Sequence, residues 1–272
     1  MTAPPEAMHP FVALMRRYCI DYTNSHDQSI YPEIFVDGYT VNINGVALER
    51  DTAYGPLVEQ LFVEAPGLGL TVHELVLNGD RLCMRFSEHA SLPTPKGRRL
   101  AAWRGIGLYK WDGERLVENY VEQDFLSRRA QLAGGEPHEL EPPHLDPWMT
   151  TQPVPADADA ESVARSIFEE DRLHEATWAQ IDDGIGDAVA PLVVAPDEVI
   201  INDLFSAGRR VAVHATVRGG YRGGVDGVAD DAKGSEASLQ VAALLRVAPD
   251  GGLEEVRAVT SREVVRSALR PR

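Results

Sequence analysis

Trp103–Leu126 reads WRGIGLYKWDGERLVENYVEQDFL: a long apolar run, a Trp-Asp-Gly turn, then a run in which apolar and polar residues alternate. Asp-Gly reverses a chain tightly because glycine tolerates positive φ, so the stretch predicts an antiparallel hairpin. Upstream, Leu70–Leu77 and Arg81–His89 flank the turn residues Asn78–Asp80 and predict a second hairpin. Pro93, Pro95 and Gly97 mark the loop joining the two, giving strands over Arg99–Lys110 and Arg115–Phe125. Before this meander, Phe11, Leu14, Met15, Tyr18, Cys19 and Tyr22 recur at helical spacing over Phe11–Asn24. A turn or short helix leads into a strand at Tyr39–Ile43 ended by Gly45, and a helix is predicted over Thr52–Phe62. Helices followed by a long antiparallel meander predict an α+β roll, a curved sheet wrapped on helices.

The pattern recurs. SAGRRVAVHATV (206–217), AKGSEASLQVAALLRVAPDG (232–251) and GLEEVRAVTSREVV (252–265) repeat the blocks in order. Gly79 falls on Gly208 at an offset of 129, while Gly97, Leu108 and Leu116 fall on Gly234, Leu245 and Leu253 at an offset of 137. The predicted organisation is residues 1–132 as one unit, a Pro-rich acidic linker over 133–158, and a degenerate copy over 159–272. In the copy a helix is expected over Glu161–Gln180, with strands at Glu198–Leu204, Arg210–Val217, Glu236–Val247 and Leu253–Thr260. By these offsets Trp103, Tyr120, Glu122 and Asp124 become Gln240, Arg257, Val259 and Ser261. The copy loses the protic set and is expected to cover the open face of unit one as an internal pseudo-dimer, with further homo-oligomerisation left open.

The chain has 272 residues, 42 acidic and 26 basic, for a formal net charge of -16. Such a field disfavours nucleic acid and anionic membranes as partners. No run has the length of a membrane-spanning helix, and the N-terminus lacks a basic region followed by an apolar core, so a cytoplasmic location is expected. Cys19 and Cys83 are the only cysteines and read as buried free thiols. No metal-ligand spacing or phosphate-binding loop occurs, so neither metal nor cofactor is expected.

The segments YTNSHD (22–27), FVDGYTVNING (35–45) and WDGERLVENYVEQDF (111–125), with Trp103–Tyr109, resemble the SnoaL-like branch of the NTF2-like superfamily. The resemblance covers most of residues 11–126 and, more weakly, 162–269. It implies a cone-shaped roll with an enclosed pocket. It leaves the activity open, because that group holds dehydratases, isomerases, epoxide hydrolases, polyketide cyclases and non-catalytic proteins. Where its members dehydrate or isomerise, a histidine or carboxylate base works with tyrosine donors. The matching places here are Tyr18 or Tyr22 and Asp21 on the first helix, Tyr39 on the first strand, and His73. His89 is the one candidate for a second pocket histidine.

Period two adds its own candidates. On the last strand Tyr120, Glu122 and Asp124 share one face, opposite Asn119, Val121, Gln123 and Phe125. The acidic face reads as pocket-lining or simply as solvated surface. Trp103, Phe86 and Met84 would supply an apolar wall that raises a carboxylate toward neutrality. An epoxide-hydrolase arrangement would instead draw on Asp124 with Arg104 or Arg85, and Glu88 in place of a second aspartate. The expected function is cofactor-free acid–base chemistry of dehydratase, isomerase or cyclase type on an apolar oxygenated small molecule. The alternatives are an epoxide-hydrolase-like variant, a non-catalytic small-molecule binder, a structural or interaction module, or a second site around His174, Asn202 and His214.

Overall fold

The computed structural model describes residues 8–270; the start of the Pro-rich lead (1–7) and the last two residues lie outside that range. Helix α1 (Pro10–Arg16) runs on without a break as a π-helical turn, Arg17–Asn24. A short α2 (Tyr31–Ile34) then leads into β1 (Phe35–Ile43) and β2 (Val46–Glu49). The next helix, α3 (Gly55–Glu64), carries Pro in its first turn, where the missing N–H is no loss. The meander follows as β3 (Gly69–Leu77), β4 (Arg81–Thr94), β5 (Gly97–Trp111) and β6 (Leu116–Gln123). The sheet order is β2-β1-β6-β5-β4-β3, antiparallel except where β1 runs parallel to β6. A helix not foreseen from the sequence, α4 (Phe125–Ala133), closes the unit; Asp124 caps it by accepting from the Ser127 amide.

The linker is extended, with one short helix, α5 (Pro147–Thr150). It lies along the β3 edge, where the His144 and Val154 amides donate to the Val72 and Leu77 carbonyls. Trp148 packs against the unit-one core. Covering an edge strand in this way removes a row of unpaired backbone groups.

Unit two repeats the plan with less around it: α6 (Ala158–Glu169), β7 (Trp178–Ile181), β8 (Gly184–Gly186), β9 (Val194–Ala207), β10 (Arg210–Tyr221), β11 (Glu236–Val247), β12 (Leu253–Thr260) and α7 (Arg262–Leu269). Its order, β8-β7-β12-β11-β10-β9, mirrors the first sheet, again with one parallel pair, β7 and β12. The expected helix over Glu161–Gln180 stops short: Asp171 adopts φ +57° and turns the chain, so residues 178–181 become the strand beside β12.

The repeat register also needs one correction. Ile106 pairs with Glu122 in unit one, and Ala242 pairs with Val259 in unit two. Glu122 and Val259 are 137 residues apart, as expected, but Ile106 and Ala242 are 136 apart. The counterpart of Trp103 is therefore Leu239, not Gln240. In a strand a slip of one exchanges the two faces.

The two sheets meet on the faces turned away from their helices. Val76, Cys83, Ile106 and Leu108 pack there against Phe205, Ala207, Ala212, Ala242, Leu244 and Val259. Unit two thus covers the helix-free face of the first sheet as an internal pseudo-dimer. Beside this apolar seam runs a closed ring of six alternating charges: Glu74, Arg85, Glu141, Arg257, Glu255 and Arg210, each paired with the next and Arg210 returning to Glu74. It takes two residues from unit one, one from the linker and three from unit two, so it fixes all three segments in one arrangement.

Within unit one the inner face of β5 is opened by glycine. A Cβ at Gly105 would lie 2.3 Å from the Phe86 ring, and one at Gly107 2.7 Å from the Tyr109 ring. Gly105→Ala must displace Phe86 and is expected to cost about 1–3 kcal/mol, read by urea unfolding. An unchanged midpoint would show that the ring has slack.

Candidate functional site

Unit one encloses a chamber of about 560 Å³ between its inner sheet face, the π-helical turn that continues α1, and helices α3 and α4. Its walls are largely apolar, from Val41, Ile43, Phe86, Val121 and Phe125 among others. It opens between β2 and α3, where Val46 and Leu57 form a rim exposed at 54% and 53%.

The polar residues of the last strand that line it are Asn119 and Gln123, from the face opposite the acidic one. Each is oriented by a partner. The Tyr39 hydroxyl donates to Asn119 Oδ1 at 2.7 Å, which leaves the amide NH2 as a donor. Trp103 Nε1 donates to Gln123 Oε1 at 2.7 Å, which turns Gln123 Nε2 toward Glu88 Oε1 at 3.4 Å.

Glu88 is the acidic group at the centre of this arrangement. It sits on β4, 9% exposed, on the same strand face as Met84 and Phe86. Burial pushes its carboxyl up to about 7, against the opposing pull of the Arg128 charge and hydrogen bonding from Gln123 and Trp103. Tyr18, Tyr54 and Tyr109 line the same space, all held well above the usual phenol range by burial, so they stay protonated and can donate.

Of the residues singled out from the sequence, Tyr18, Phe86 and Glu88, the last named for the epoxide-hydrolase arrangement alone, line the chamber. Tyr39 and Trp103 stand behind its wall and orient Asn119 and Gln123. Tyr22 is buried in an aromatic cluster with Tyr31, Phe35 and Phe62. Met84 is core, its sulfur 3.5 Å from that of Cys19. Asp21 is half-buried on the helix and outside the lining.

The other choices are corrected. A bulge between Val72 and Glu74 turns both His73 and Glu74 outward. His73 Nε2 meets Ser87 Oγ at 2.8 Å and Nδ1 the Pro142 carbonyl at 3.0 Å, and burial lowers its pKa. Glu122 and Asp124 are neither in the chamber nor in bulk water: they face the second unit. Glu122 is fully buried, taking the Asn44 amide at 3.1 Å and lying 3.2 Å from His214 Nε2. Tyr120 packs on the same imidazole, and Arg104 reaches the Asp182 carbonyl. Asp124 joins Asp182 and Asp183 around Arg262. His214 and Asn202, 3.0 Å apart, belong to this seam; they do not form a separate unit-two site with His174.

Unit two lacks the chamber's chemistry position by position. By the strand registers and the paired helix caps Asp124 and Ser261, Glu88, Trp103, Asn119 and Arg128 correspond to Val217, Leu239, Val256 and Val265. All four, three valines and a leucine, are buried in the unit-two core. The sequence named Glu88 as a stand-in for an aspartate and not as a base, yet in RLCMRFSEH it shares the alternation of Leu82, Met84 and Phe86, an acid on an apolar stripe.

Among the described residues no group of three or more His, Cys, Asp or Glu side chains is placed to hold a metal ion. Likewise, none of the described helices is long and apolar enough to cross a membrane. No protein-family model matches the chain, and no curated protein matches it. Solved structures do. A candidate SnoaL-like polyketide cyclase from Jannaschia sp. CCS1 is 13% identical, covering 50% of this chain and 99% of its own, with a TM-score of 0.43. A candidate polyketide cyclase from Acidithiobacillus ferrooxidans is 20% identical, covering 44% and 92%, with a TM-score of 0.40. IdmH, a candidate polyketide cyclase from Streptomyces antibioticus, is 21% identical, covering 46% and 98%, with a TM-score of 0.39.

Proposed function

We propose that this chain is an enzyme that performs acid–base chemistry, without a cofactor, on an apolar oxygenated small molecule held in the unit-one chamber. The observation that carries the reading is Glu88: a carboxyl on an apolar chamber wall, lifted to about 7 and hydrogen-bonded by Gln123. A base is most effective when its pKa lies near the working pH, and burial has moved this one there.

The step follows from the groups present. Ionised Glu88 removes a proton from carbon next to a carbonyl, and the electron pair moves onto the carbonyl oxygen. A protonated tyrosine, Tyr18 or Tyr54, or the Asn119 amide donates to that oxygen as its charge develops. The proton on Glu88 can then return to another carbon, or leave with a β-hydroxyl as water. Alternatively the enolate carbon attacks a second carbonyl carbon of the same molecule and closes a ring, as that C=O π pair moves onto its oxygen and takes the proton from Glu88. Isomerisation, dehydration and cyclisation thus share one opening step. Tyr39 and Trp103 are positioning residues in this scheme, acting through Asn119 and Gln123.

Proton exchange tests that step before the natural substrate is known. Apolar ketones such as 2-tetralone, incubated with the protein in D2O, are expected to take up deuterium at the α-carbon faster than with Glu88→Gln, as followed by NMR. Equal exchange with both proteins across a panel of bicyclic ketones would overturn the catalytic reading.

A further inference from the structure

Arg128 is out of keeping with the other half-buried arginines. Arg81, Arg85, Arg210, Arg257 and Arg262 each hold one or more carboxylates. Arg128 lines the chamber, yet among the described residues its guanidinium has neither an ion-pair partner nor a hydrogen bond. Glu88 acts on it only through space. Burial lowers its pKa, which marks a cation held in a place that disfavours charge.

The fold does not need a cation there. The corresponding position on α7 is Val265, buried in the unit-two core. Two aromatic rings hold the group in place instead: the guanidinium carbon lies 5.1 Å from the centre of the Trp103 ring and 4.4 Å from that of Phe125. Cation–π contact with the two rings offsets part of the desolvation and leaves the N–H groups, which grip paired oxygens, unspent.

We infer that Arg128 is the receptor for an anionic oxygen pair on the ligand, and that the chamber takes an apolar acid, a ring-bearing carboxylate, in preference to its neutral analogue. The inference rests on the proposed use of the chamber and adds the substrate class. The carboxylate would sit on the Arg128 fork, with the ring system against Phe86, Val121 and Val41 and the reacting carbon toward Glu88.

A second acid beside Glu88 is tolerable because the Arg128 charge offsets one of the two carboxylates, so Glu88 can still ionise in the complex as pH rises. The charged and titratable groups acting on Glu88 and Arg128 are each other, Cys19 of the π-helical turn and Glu263 of α7; Gln123 and Trp103 add hydrogen bonds, and Glu64 of α3 lies on the lining. Because burial already favours the protonated form of Glu88, an anion on Arg128 is accommodated below neutrality.

The test uses 2-naphthoate and methyl 2-naphthoate, titrated calorimetrically into the whole chain at pH 6. The acid is expected to bind at least tenfold tighter than the ester. Arg128→Met, which keeps the stem over Trp103, should weaken the acid at least tenfold and leave the ester unchanged, while Arg128→Lys keeps part of the preference. Equal binding of acid and ester by the native chain would overturn the inference. So would an Arg128→Met variant that weakens both alike, since that marks a packing role. If the two probes bind alike while Glu88-dependent exchange persists, only the anion receptor fails. If neither probe enters, the chamber reading fails with it.

Discussion

Glu88→Gln is expected to lower turnover by about 10²–10⁴-fold, the contribution typical of a positioned general base. It should also remove the limb of the pH profile that rises through about 7. Its effect on stability should have the opposite sign. The Glu88 carboxyl is raised from an ordinary value of 4.5 to about 7 in the folded chain, so folding favours the protonated form. In the native protein this group's contribution is therefore complete below about pH 4.5 and is lost as pH rises through about 7. Glutamine carries no charge at any pH and removes that loss. At pH 8 the variant should be more stable by up to about 3 kcal/mol, and at pH 4 nearly unchanged, as read by urea unfolding at the two pH values. A purely structural carboxylate would behave otherwise, and its loss would destabilise the chain at pH 8. Stability given up at a reactive group is a common trade in enzymes. Unchanged turnover together with lower stability at pH 8 would show that Glu88 serves the fold.

Arg262→Met is expected to be the most destabilising of these changes, by about 3–5 kcal/mol at pH 8, the usual cost of removing one partner from a buried charged cluster. Arg262 lies among three carboxylates: Asp124 at 3.2 Å, Asp182 at 3.1 Å and Asp183 at 2.5 Å. Burial pushes Asp182 up to about 7 and raises Asp124, both against the pull of Arg262. Burial would raise Asp183 too, but its hydrogen bond and charge contact with Arg262 hold it at about 2. Without the guanidinium, three negative groups crowd the start of α4, and Asp124 and Asp182 are nearly out of reach of water. Protonation relieves this, so the loss should shrink markedly at pH 5. Because Arg262 ties α7 of unit two to the cap of α4 in unit one, unfolding at pH 8 should also broaden or split as the units uncouple. Equal destabilisation at pH 5 and pH 8 would rule out this electrostatic account.

Alternation along Arg115–Phe125 was enough to sort Tyr120, Glu122 and Asp124 from Asn119, Val121 and Gln123. Which set met a ligand could not be read from it. Period two says which side chains share a face, but not what lies against that face. Here both faces are buried, one by the chamber and one by the second sheet, and the acidic set took the second. The same limit explains His73: one bulged residue between Val72 and Glu74 reversed its face, and a bulge has no dependable signature in a single sequence. It also explains the slip of one between Trp103 and Gln240, since block spacing fixes order while hairpin bulges fix pairing.

Local chemistry was enough for the meander, the Asp-Gly and Asn-Gly-Asp reversals and the first helix, because each rests on neighbours within a few residues, and the recurrence of those local blocks in order revealed the doubling of the chain. The chamber was a different matter. Glu88 and Gln123 lie on strands β4 and β6, on either side of β5, with Arg128 on α4, and only packing brings the three together. A carboxylate's pKa near 7 and an arginine without a partner are properties of that enclosure, set by how far water is kept away.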